Sequence, residues 1–410
     1  MRMFKLALRN LLRNKRRTVL TVAAIAFGLS LMLWTVNFQK GSYGTMVRMG
    51  ISSMAGHVVV QAEGFQEEKE VTMVVDDVSG ISAQLASEFP DGVVAPRIAM
   101  GGLLMSTSTS VGVLLNGLVP EAEIQVQDLH TKVEDDRWFS DDDREIIIGK
   151  AMANTLDVEL GDKLVFMGQN GSDEVQSRMF RVRGIYRTGS DQIDGRVAYA
   201  HLGATQELLD RGDVAHMVTL HLDDPDDSYE ATDRAKTLLS ADLDVRNWKE
   251  ALPDLAAMIQ VDRASGDVMM GIIGLIVAFG VLNTLLMSVL ERTREFGVML
   301  SLGMKPSQLA RLVLLEGMTL GLIGAAAGLI LGLGFSLQAV YQGIDYAAFA
   351  GESGAMEMEG LVFDSVIKGA WDPLRMAYYL IAAVIFCVCS AIYPAWSISR
   401  LQPVQAMRHH

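Results

Sequence analysis

Charged side chains recur at helical spacing in one short stretch near residue 290. Arg294 follows Glu291 by three residues, Glu295 follows it by four, and Arg292 lies between them. Because residues three and four apart share one face of an α-helix, these charges indicate a helical surface that can pair with a partner protein. A solvated helix in a basic membrane loop is the simpler alternative, and spacing alone does not separate the two.

Two features downstream of these charges set the limits of that helix. Gly commonly follows a helix C-terminus and Pro commonly occupies a first turn, so one helix is predicted to end near Gly303 and the next to begin near Pro306. Glu316 lies beside an apolar run, where a carboxylate facing lipid is costly. We therefore expect it to face protein or the interface, or simply to pair with Arg311 or Arg292. The candidate partner-binding residues are Glu291, Arg292, Arg294, Glu295, Phe296 and Gly303, and Glu316 is a separate candidate, a polar residue of the membrane core.

Motifs of catalysis and cofactor binding do not occur in this sequence. It has no GxxxxGK[ST] loop to cradle nucleotide phosphates, no GxSxG elbow, no HExxH and no dinucleotide fingerprint. The net charge of −14 argues against nucleic-acid binding. We expect no catalytic, cofactor or metal site in this chain. If this protein works with ATP, a partner subunit must bind the ATP and Mg²⁺.

Other residues that could bind metals have simpler interpretations. The acidic clusters at 134–143 and 223–227 lack the alternation, central Gly and closing Glu of a calcium loop, so both are predicted to be solvated loops. Cys387 and Cys389 lie in an apolar run and are predicted to be small buried residues of a membrane helix. The scattered histidines do not indicate catalytic zinc. They are His57, His130, His201, His216 and His221.

Four uncharged apolar runs reach the roughly 20 residues that a membrane-crossing helix needs. They are residues 18–39, 268–290, 317–344 and 376–399. The first run follows basic residues, as in a cleaved signal peptide. It is longer than the usual apolar region of such a peptide, and Trp34 and Phe38 stand where small residues would mark a cleavage site. An uncleaved anchor is therefore predicted.

The distribution of Lys and Arg predicts the orientation of these spans. Residues 1–17 hold seven basic residues and no acid, and the stretches 291–311 and 400–410 each carry a net +2, which leaves −25 on the rest of the chain. Because basic loops stay in the cytoplasm, both termini are predicted to be cytoplasmic and the acidic bulk to be exported.

The exported stretch mixes strand and helix patterns without the regular alternation of a parallel sheet, which indicates an α+β domain. The predicted strands are Val58–Gln61, Val71–Val75, a hairpin of Gly102–Thr107 with Gly112–Leu115, Glu145–Ile148, Lys163–Met167, Phe180–Tyr186 and Met217–Leu222. The predicted helices are Ser79–Phe89, one ending at Leu156, Ala204–Arg211 and Ser228–Leu239. Apolar residues at helical spacing in Lys249–Asp267 predict a stalk helix that runs into the second span, with an ordinary linker helix as the alternative.

The fold class predicted is thus a membrane protein with four transmembrane α-helices and a large α+β periplasmic domain. Its predicted order is an amphipathic N-terminal helix (1–17), TM1 (18–39), the periplasmic domain with its stalk (40–267), TM2 (268–290), the cytoplasmic coupling loop (291–311), TM3 (312–344), a periplasmic loop (345–375), TM4 (376–399) and a cytoplasmic tail (400–410).

The order of several motifs resembles the FtsX-like permease family. Glu291–Gly303 is similar to the family's E-R-x-R-E stretch ending in L-G, and Leu314–Gly317 looks like its Leu-Leu-Glu-Gly before the third span. Tyr393–Trp396 with Leu401–Arg408 resembles its closing Pro-Ala and L-x-P-[VI]-x-A-[LM]-R motifs. Leu8-Arg9-Asn10-Leu11 with Arg16-Arg17-Thr18 matches its N-terminal helix. The exported domain matches only loosely.

The resemblance implies a mechanism and a set of partners. Such permeases work as homo- or heterodimers in the bacterial inner membrane, bound to two cytoplasmic ABC ATPase subunits. Glu291–Gly303 would be the coupling helix seated on the ATPase, and ATP-driven closure would move spans and stalk together to work on the periplasmic side. The chain itself would be a non-catalytic subunit of the translocase.

Three branches of this family differ in what they move. The LolC/LolE-like branch releases lipoproteins to a periplasmic carrier, and this chain is similar to it in length, in its four spans and in Asn116–Glu121, which looks like a G-[IV]-x-P-E strand-turn. The MacB-like branch exports peptides and antibiotics through an adaptor and usually has a fused ATPase. FtsX proper is a scaffold that activates cell-wall hydrolases and has a smaller exported domain. Lipoprotein release is the favoured prediction, with the other two as alternatives.

Overall fold

The computed structural model describes residues 9–10, 13, 15–170, 174–224, 227–345, 356–358, 361–363 and 366–400. Two compact units divide the chain. The membrane unit comprises the described parts of Met1–Tyr43, Ile259–Ile344 and Ile367–His410. The exported unit comprises the described parts of Gly44–Met258 and Asp345–Val366. Most of the predicted N-terminal helix, all of Leu401–Arg408 in the closing motif and much of the 345–375 loop lie outside the described residues.

The helices are α1 Lys15–Gly50, α2 Phe65–Glu68, α3 Val78–Glu88, α4 Pro120–Val126, α5 Lys150–Leu156, α6 Asp191–Asp194, α7 Leu202–Leu208, α8 Ser228–Leu238, α9 Trp248–Ala251, α10 Pro253–Glu291, α11 Thr293–Ser301, α12 Pro306–Tyr341 and α13 Pro373–Ser399. A single π-helical turn, Ile51–Ala55, follows α1, and short 3₁₀ turns lie at Asp128–Lys132 and Glu134–Asp136.

The strands are β1 Val58–Ala62, β2 Val75–Asp76, β3 Val93–Met105, β4 Ser110–Leu118, β5 Glu145–Gly149, β6 Lys163–Gln169, β7 Val175–Tyr186, β8 Val197–His201, β9 Val214–Ala215, β10 Met217–His221, β11 Leu243–Asn247, β12 Ile344–Asp345, β13 Met356–Met358, β14 Leu361–Phe363 and β15 Val366–Ile367.

Four helices in the described residues, α1, α10, α12 and α13, are long and apolar enough to cross a membrane. They contain the four predicted spans, except that the third helix ends at Tyr341. Gly343 there adopts a φ of +77°, which ends the helix before Ile344. Small residues allow close helix approach: Gly324, Gly328 and Gly332 of α12 face Ile25, Leu29 and Leu33 of α1 at four-residue intervals.

One mixed sheet organises the exported unit, in the order β11-β1-β10-β3-β4-β8-β5-β7-β6. Strand β3 is long enough to pair with β10 through Val93–Arg97 and with β6 through Gly102–Met105. The second pairing closes β3, β4, β8, β5, β7 and β6 into a ring, while β11, β1 and β10 extend beyond it. Only β4–β8 and β5–β7 in the large sheet are parallel, which confirms the α+β fold class.

Four local predictions need correction. Cys389 is exposed rather than buried, whereas Cys387 is buried as predicted. Val71–Val75 is not a strand: only Val75–Asp76 pairs, because its partner β9 is two residues long. Helix α3 is capped by the Asp77 side chain rather than by Ser79. The predicted stalk helix is interrupted at Leu252, because a residue before proline is disfavoured in the α region, and α10 begins at Pro253 and continues to Glu291.

Candidate functional site: the loop between the second and third membrane helices

Helix α11 lies where the charge spacing predicts a loop helix. Its end is a Schellman motif, in which the Met304 N–H donates to the Met299 carbonyl at 3.0 Å and the Gly303 N–H donates to the Leu300 carbonyl at 3.1 Å. Gly303 has a φ of +95°, which favours glycine over residues with a side chain. The next helix begins at Pro306, as predicted, so the loop has a defined geometry.

A buried ion pair connects the start of α11 to α12. Arg292 Nη1 donates to Glu316 Oε1 at 3.0 Å, and the two side chains are only 6% and 3% exposed. Asn10 Nδ2 donates to the same carboxylate oxygen at 2.7 Å, and Arg292 Nε donates to Glu295 Oε2 at 3.2 Å. Glu316 therefore faces protein, as its cost in lipid predicts, and its partner is Arg292 rather than Arg311.

Phe296 provides an apolar anchor one turn further along α11. Its side chain is 1% exposed and belongs to a buried cluster. The other buried members are Val289 of α10, Leu309, Leu312 and Val313 of α12, and Ala395 and Ile398 of α13. The Arg292 guanidinium lies 5.0 Å from the Phe296 ring centroid, a cation–π distance. Arg292 and Phe296 together fix the orientation of α11 on three membrane helices.

The two glutamates of the loop pair with arginines near the N-terminus. Arg13 Nη2 donates to Glu295 Oε1 at 2.6 Å, and Arg17 Nη2 donates to Glu291 Oε1 at 2.5 Å. The hydrogen bond from Arg13 lowers the pKa of the Glu295 carboxyl. These arginines and Asn10 were not among the predicted site residues. The available signal was a matched spacing, since Arg13 and Arg17 are four residues apart, as are Glu291 and Glu295.

Pairing within the chain changes which residues can meet a partner. Arg292 is buried and Glu291 and Glu295 have internal partners, whereas Arg294 is exposed. Val298 and Leu302 follow Arg294 at four-residue intervals and are 45% and 82% exposed. These three residues form one exposed stripe, which we call the loop stripe, and two of its members are apolar. Sequence spacing did not single out Val298 or Leu302.

In the exported unit, two histidines distant in sequence come together. The rings of His57 and His221 lie 6.3 Å apart, and both are buried. His221 Nε2 and Thr219 Oγ1 are hydrogen-bonded at 3.0 Å, and the Leu222 N–H donates to His57 Nδ1 at 2.9 Å. Burial lowers the pKa of both, that of His221 to about 2. Across the described residues, no three His, Cys, Asp or Glu side chains are grouped to hold a metal ion.

The described residues contain four helices long and apolar enough to cross a membrane and a charged loop anchored on them. Two family models match this chain. One, described as the MacB-like periplasmic core domain, covers residues 18–238, which is more than half of the chain. The other, described as the FtsX-like permease C-terminal, covers residues 268–403, including the loop. The chain belongs to the FtsX-like, MacB-type family of ABC transporter permeases.

Individual relatives and one solved structure are similar to this chain. The lipoprotein-releasing system transmembrane protein LolC of Xylella fastidiosa is 22% identical over 97% of both chains. The macrolide export ATP-binding/permease protein MacB of Hyphomonas neptunium is 24% identical over 80% of this chain and 52% of its own. The periplasmic region of MacB from Actinobacillus actinomycetemcomitans matches 50% of this chain and 94% of its own at 16% identity, with a TM-score of 0.36. Permeases of this family work with cytoplasmic ATPases, and the similarity indicates an inner-membrane protein.

Proposed function

We propose that this permease couples ATP hydrolysis by a separate cytoplasmic ATPase to the release of lipoproteins from the inner membrane. The observation that supports this substrate is the similarity to LolC over 97% of both chains. In this proposal the chain is a non-catalytic subunit that pairs with a second permease subunit and with two ATPase copies. ATP and Mg²⁺ bind to the ATPase, and a periplasmic carrier accepts the lipoprotein.

The loop stripe is the proposed contact with the ATPase. Arg294, Val298 and Leu302 are exposed, and apolar side chains that point into water favour burial against a partner. Arg292, Phe296 and Glu316 transmit the motion, because they join α11 to the membrane helices through a buried ion pair and a packed ring. Glu291 and Glu295 connect the same loop to Arg17 and Arg13.

Orientation follows from charge together with these contacts. Asn10, Arg13 and Arg17 contact Glu316, Glu295 and Glu291, so the residues before the first span lie at the same end of the membrane helices as the loop. That end carries the excess of basic residues. The N-terminus, the loop and the C-terminus are therefore proposed to be cytoplasmic.

The contact with the ATPase can be tested by placing charge on the loop stripe. Val298→Glu and Leu302→Glu should each reduce co-purification of the ATPase subunit at least tenfold, because a buried unpaired carboxylate is costly at an interface. The matched control is Val175→Glu, which changes an exposed valine (65%) of the exported unit. All three variants should keep the thermal midpoint of the parent permease.

Retention of the ATPase by both stripe variants at parental levels would refute the proposed contact. Loss of the ATPase in the Val175→Glu control as well would also count against it, because the effect would then not be specific to the loop.

Export of peptides or antibiotics is the second candidate, and the match of residues 18–238 to the MacB-like periplasmic core domain supports it. The two functions differ in which substrate stimulates ATP hydrolysis. Lipoprotein release requires stimulation by an acylated peptide and none by the same peptide without its acyl chains. Equal stimulation by both forms favours export. A scaffold that activates a hydrolase predicts no stimulation by either.

A further inference from the structure

A groove of about 480 Å³ opens between α1, α10 and α13 within the membrane unit. Its walls are mainly apolar and include Leu29, Met270 and Phe386. Gly271 also lines the groove, and there is open space beside it, since a Cβ added there would meet nothing within 4 Å. A groove of this size is within the range of about 300–1,000 Å³ that small-molecule sites occupy.

One end of the groove carries a polar cluster. Arg375 Nη2 donates to Asp267 Oδ1 at 2.7 Å, and the Tyr379 hydroxyl donates to the same oxygen at 2.7 Å. The Asp267 side chain is 53% exposed and that of Arg375 is 24% exposed. One end of the groove thus carries an ion pair whose carboxylate is half exposed and whose guanidinium is partly exposed.

The length of the groove corresponds to one leaflet of a bilayer. Along α10 it extends from Asp267 to Val277, ten residues at about 1.5 Å each, which is roughly 15 Å. The hydrocarbon core of a bilayer is about 30 Å thick, so the groove covers about half of it. Asp267 directly precedes the uncharged run, which puts the polar cluster at the edge of the hydrocarbon.

These properties specify an occupant. An unfilled groove forfeits the dispersion contacts of its apolar walls, so hydrocarbon is the favoured content. Asp267 and Arg375 together carry no net charge. Such a pair complements a zwitterionic headgroup, which carries one positive and one negative charge. A purely anionic headgroup would instead meet the Asp267 carboxylate.

We propose that this groove binds one acyl chain of a zwitterionic glycerophospholipid as a resident lipid of the permease. The phosphate accepts hydrogen bonds from Arg375, and the ammonium group lies beside Asp267. In the orientation proposed above, the lipid belongs to the periplasmic leaflet. The site lies within a single chain and does not depend on which substrate the permease moves.

The test is native mass spectrometry of the full-length permease released from nanodiscs of equal phosphatidylethanolamine and phosphatidylglycerol. We expect one tightly retained phospholipid per chain, with at least fivefold preference for phosphatidylethanolamine. Gly271→Leu fills the groove and should reduce retention at least tenfold. Gly280→Leu is the matched control, because Gly280 lies on the same helix, a Cβ added there likewise meets nothing within 4 Å, and Gly280 does not line the groove.

A second variant separates the headgroup from the chain. Arg375→Gln should abolish the preference between the two lipids while one lipid is still retained. The proposed site is overturned if Gly271→Leu and Gly280→Leu retain equal amounts of phospholipid. It is also overturned if the parent permease prefers phosphatidylglycerol. The proposal is also overturned if the retained mass matches only a lipidated peptide. It is overturned as well if a second copy of the chain covers the groove and no lipid is retained.

Discussion

Arg292 and Glu316 lie 24 positions apart and form a buried pair in which neither side chain is more than 6% exposed. Burying two charges is costly, and the cost is offset only when the remaining donors and acceptors are also satisfied. Asn10 and Glu295 supply such bonds, and the Phe296 ring covers the guanidinium. The motif residues Arg292 and Glu316 therefore have their partners within their own chain.

Glu316→Leu should destabilise the permease by about 3 kcal/mol, because it leaves Arg292 buried with Glu295 as its one remaining ion-pair partner among the described residues. Adding Arg292→Leu should recover most of that loss, since neither charge is then left unpaired. Thermal unfolding in detergent, read as a double-mutant cycle, measures both effects. If the losses of stability from the two single variants simply add in the double variant, Arg292 and Glu316 do not stabilise each other.

His221 predicts a dependence of stability on pH. Burial lowers its pKa to about 2 in the folded protein, against an ordinary value of 6.5. Between these two values the unfolded chain binds a proton that the folded chain does not, so stability falls as pH falls below 6.5. The slope approaches roughly 1.4 kcal/mol per pH unit for this one group.

Unfolding of the exported unit should therefore shift to lower temperature between pH 7.5 and pH 5. His221→Asn should reduce that shift without abolishing it, because asparagine does not titrate but the pKa of His57 is also lowered by burial. His130→Asn at a half-buried position serves as the control. The same pH slope in the parent and in His221→Asn would show that His221 does not carry the effect.

At the scale of elements, α11 depends on how its C-terminus ends. A β-branched residue at Gly303 is strained by a φ of +95°, a cost of order 1–3 kcal/mol. Gly303→Val should misplace Leu302 and reduce ATPase co-purification, while Gly303→Asn, which tolerates the left-handed region, should keep most of it. Equal binding by the two variants would mean that the Schellman geometry is not needed.

Local signals were sufficient to predict α11, its glycine end and the start of α12, because charge spacing, Gly303 and Pro306 act within a few residues. Contacts across some 280 positions, such as Arg13 with Glu295, could not be predicted from such signals alone. Strands β8 and β11 were missed because Ala198 and Ala200 in one, and Asp244 and Arg246 in the other, obscure the strand pattern. The closure of the ring by β3 and β6 is likewise a long-range pairing.

For the whole molecule, the apolar runs and the Lys/Arg bias predict a topology that cysteine labelling can check. In a background of Cys387→Ser and Cys389→Ser, a membrane-impermeant maleimide should label Ser240→Cys in spheroplasts. It should label Ser301→Cys only after lysis. Both serines are exposed, so access to the reagent is not limited by burial. Labelling of Ser301→Cys in intact spheroplasts would reverse the proposed orientation.

The central claim is that this permease turns ATP hydrolysis by its partner into lipoprotein release, and reconstitution tests it most directly. Proteoliposomes would contain the permease, its paired subunit, the ATPase and a fluorescent acylated lipoprotein, with a soluble carrier outside. We predict transfer of the lipoprotein to the carrier that requires ATP and falls at least tenfold with Leu302→Glu. Continued ATP hydrolysis by the assembled complex with no transfer of the lipoprotein would contradict the claim.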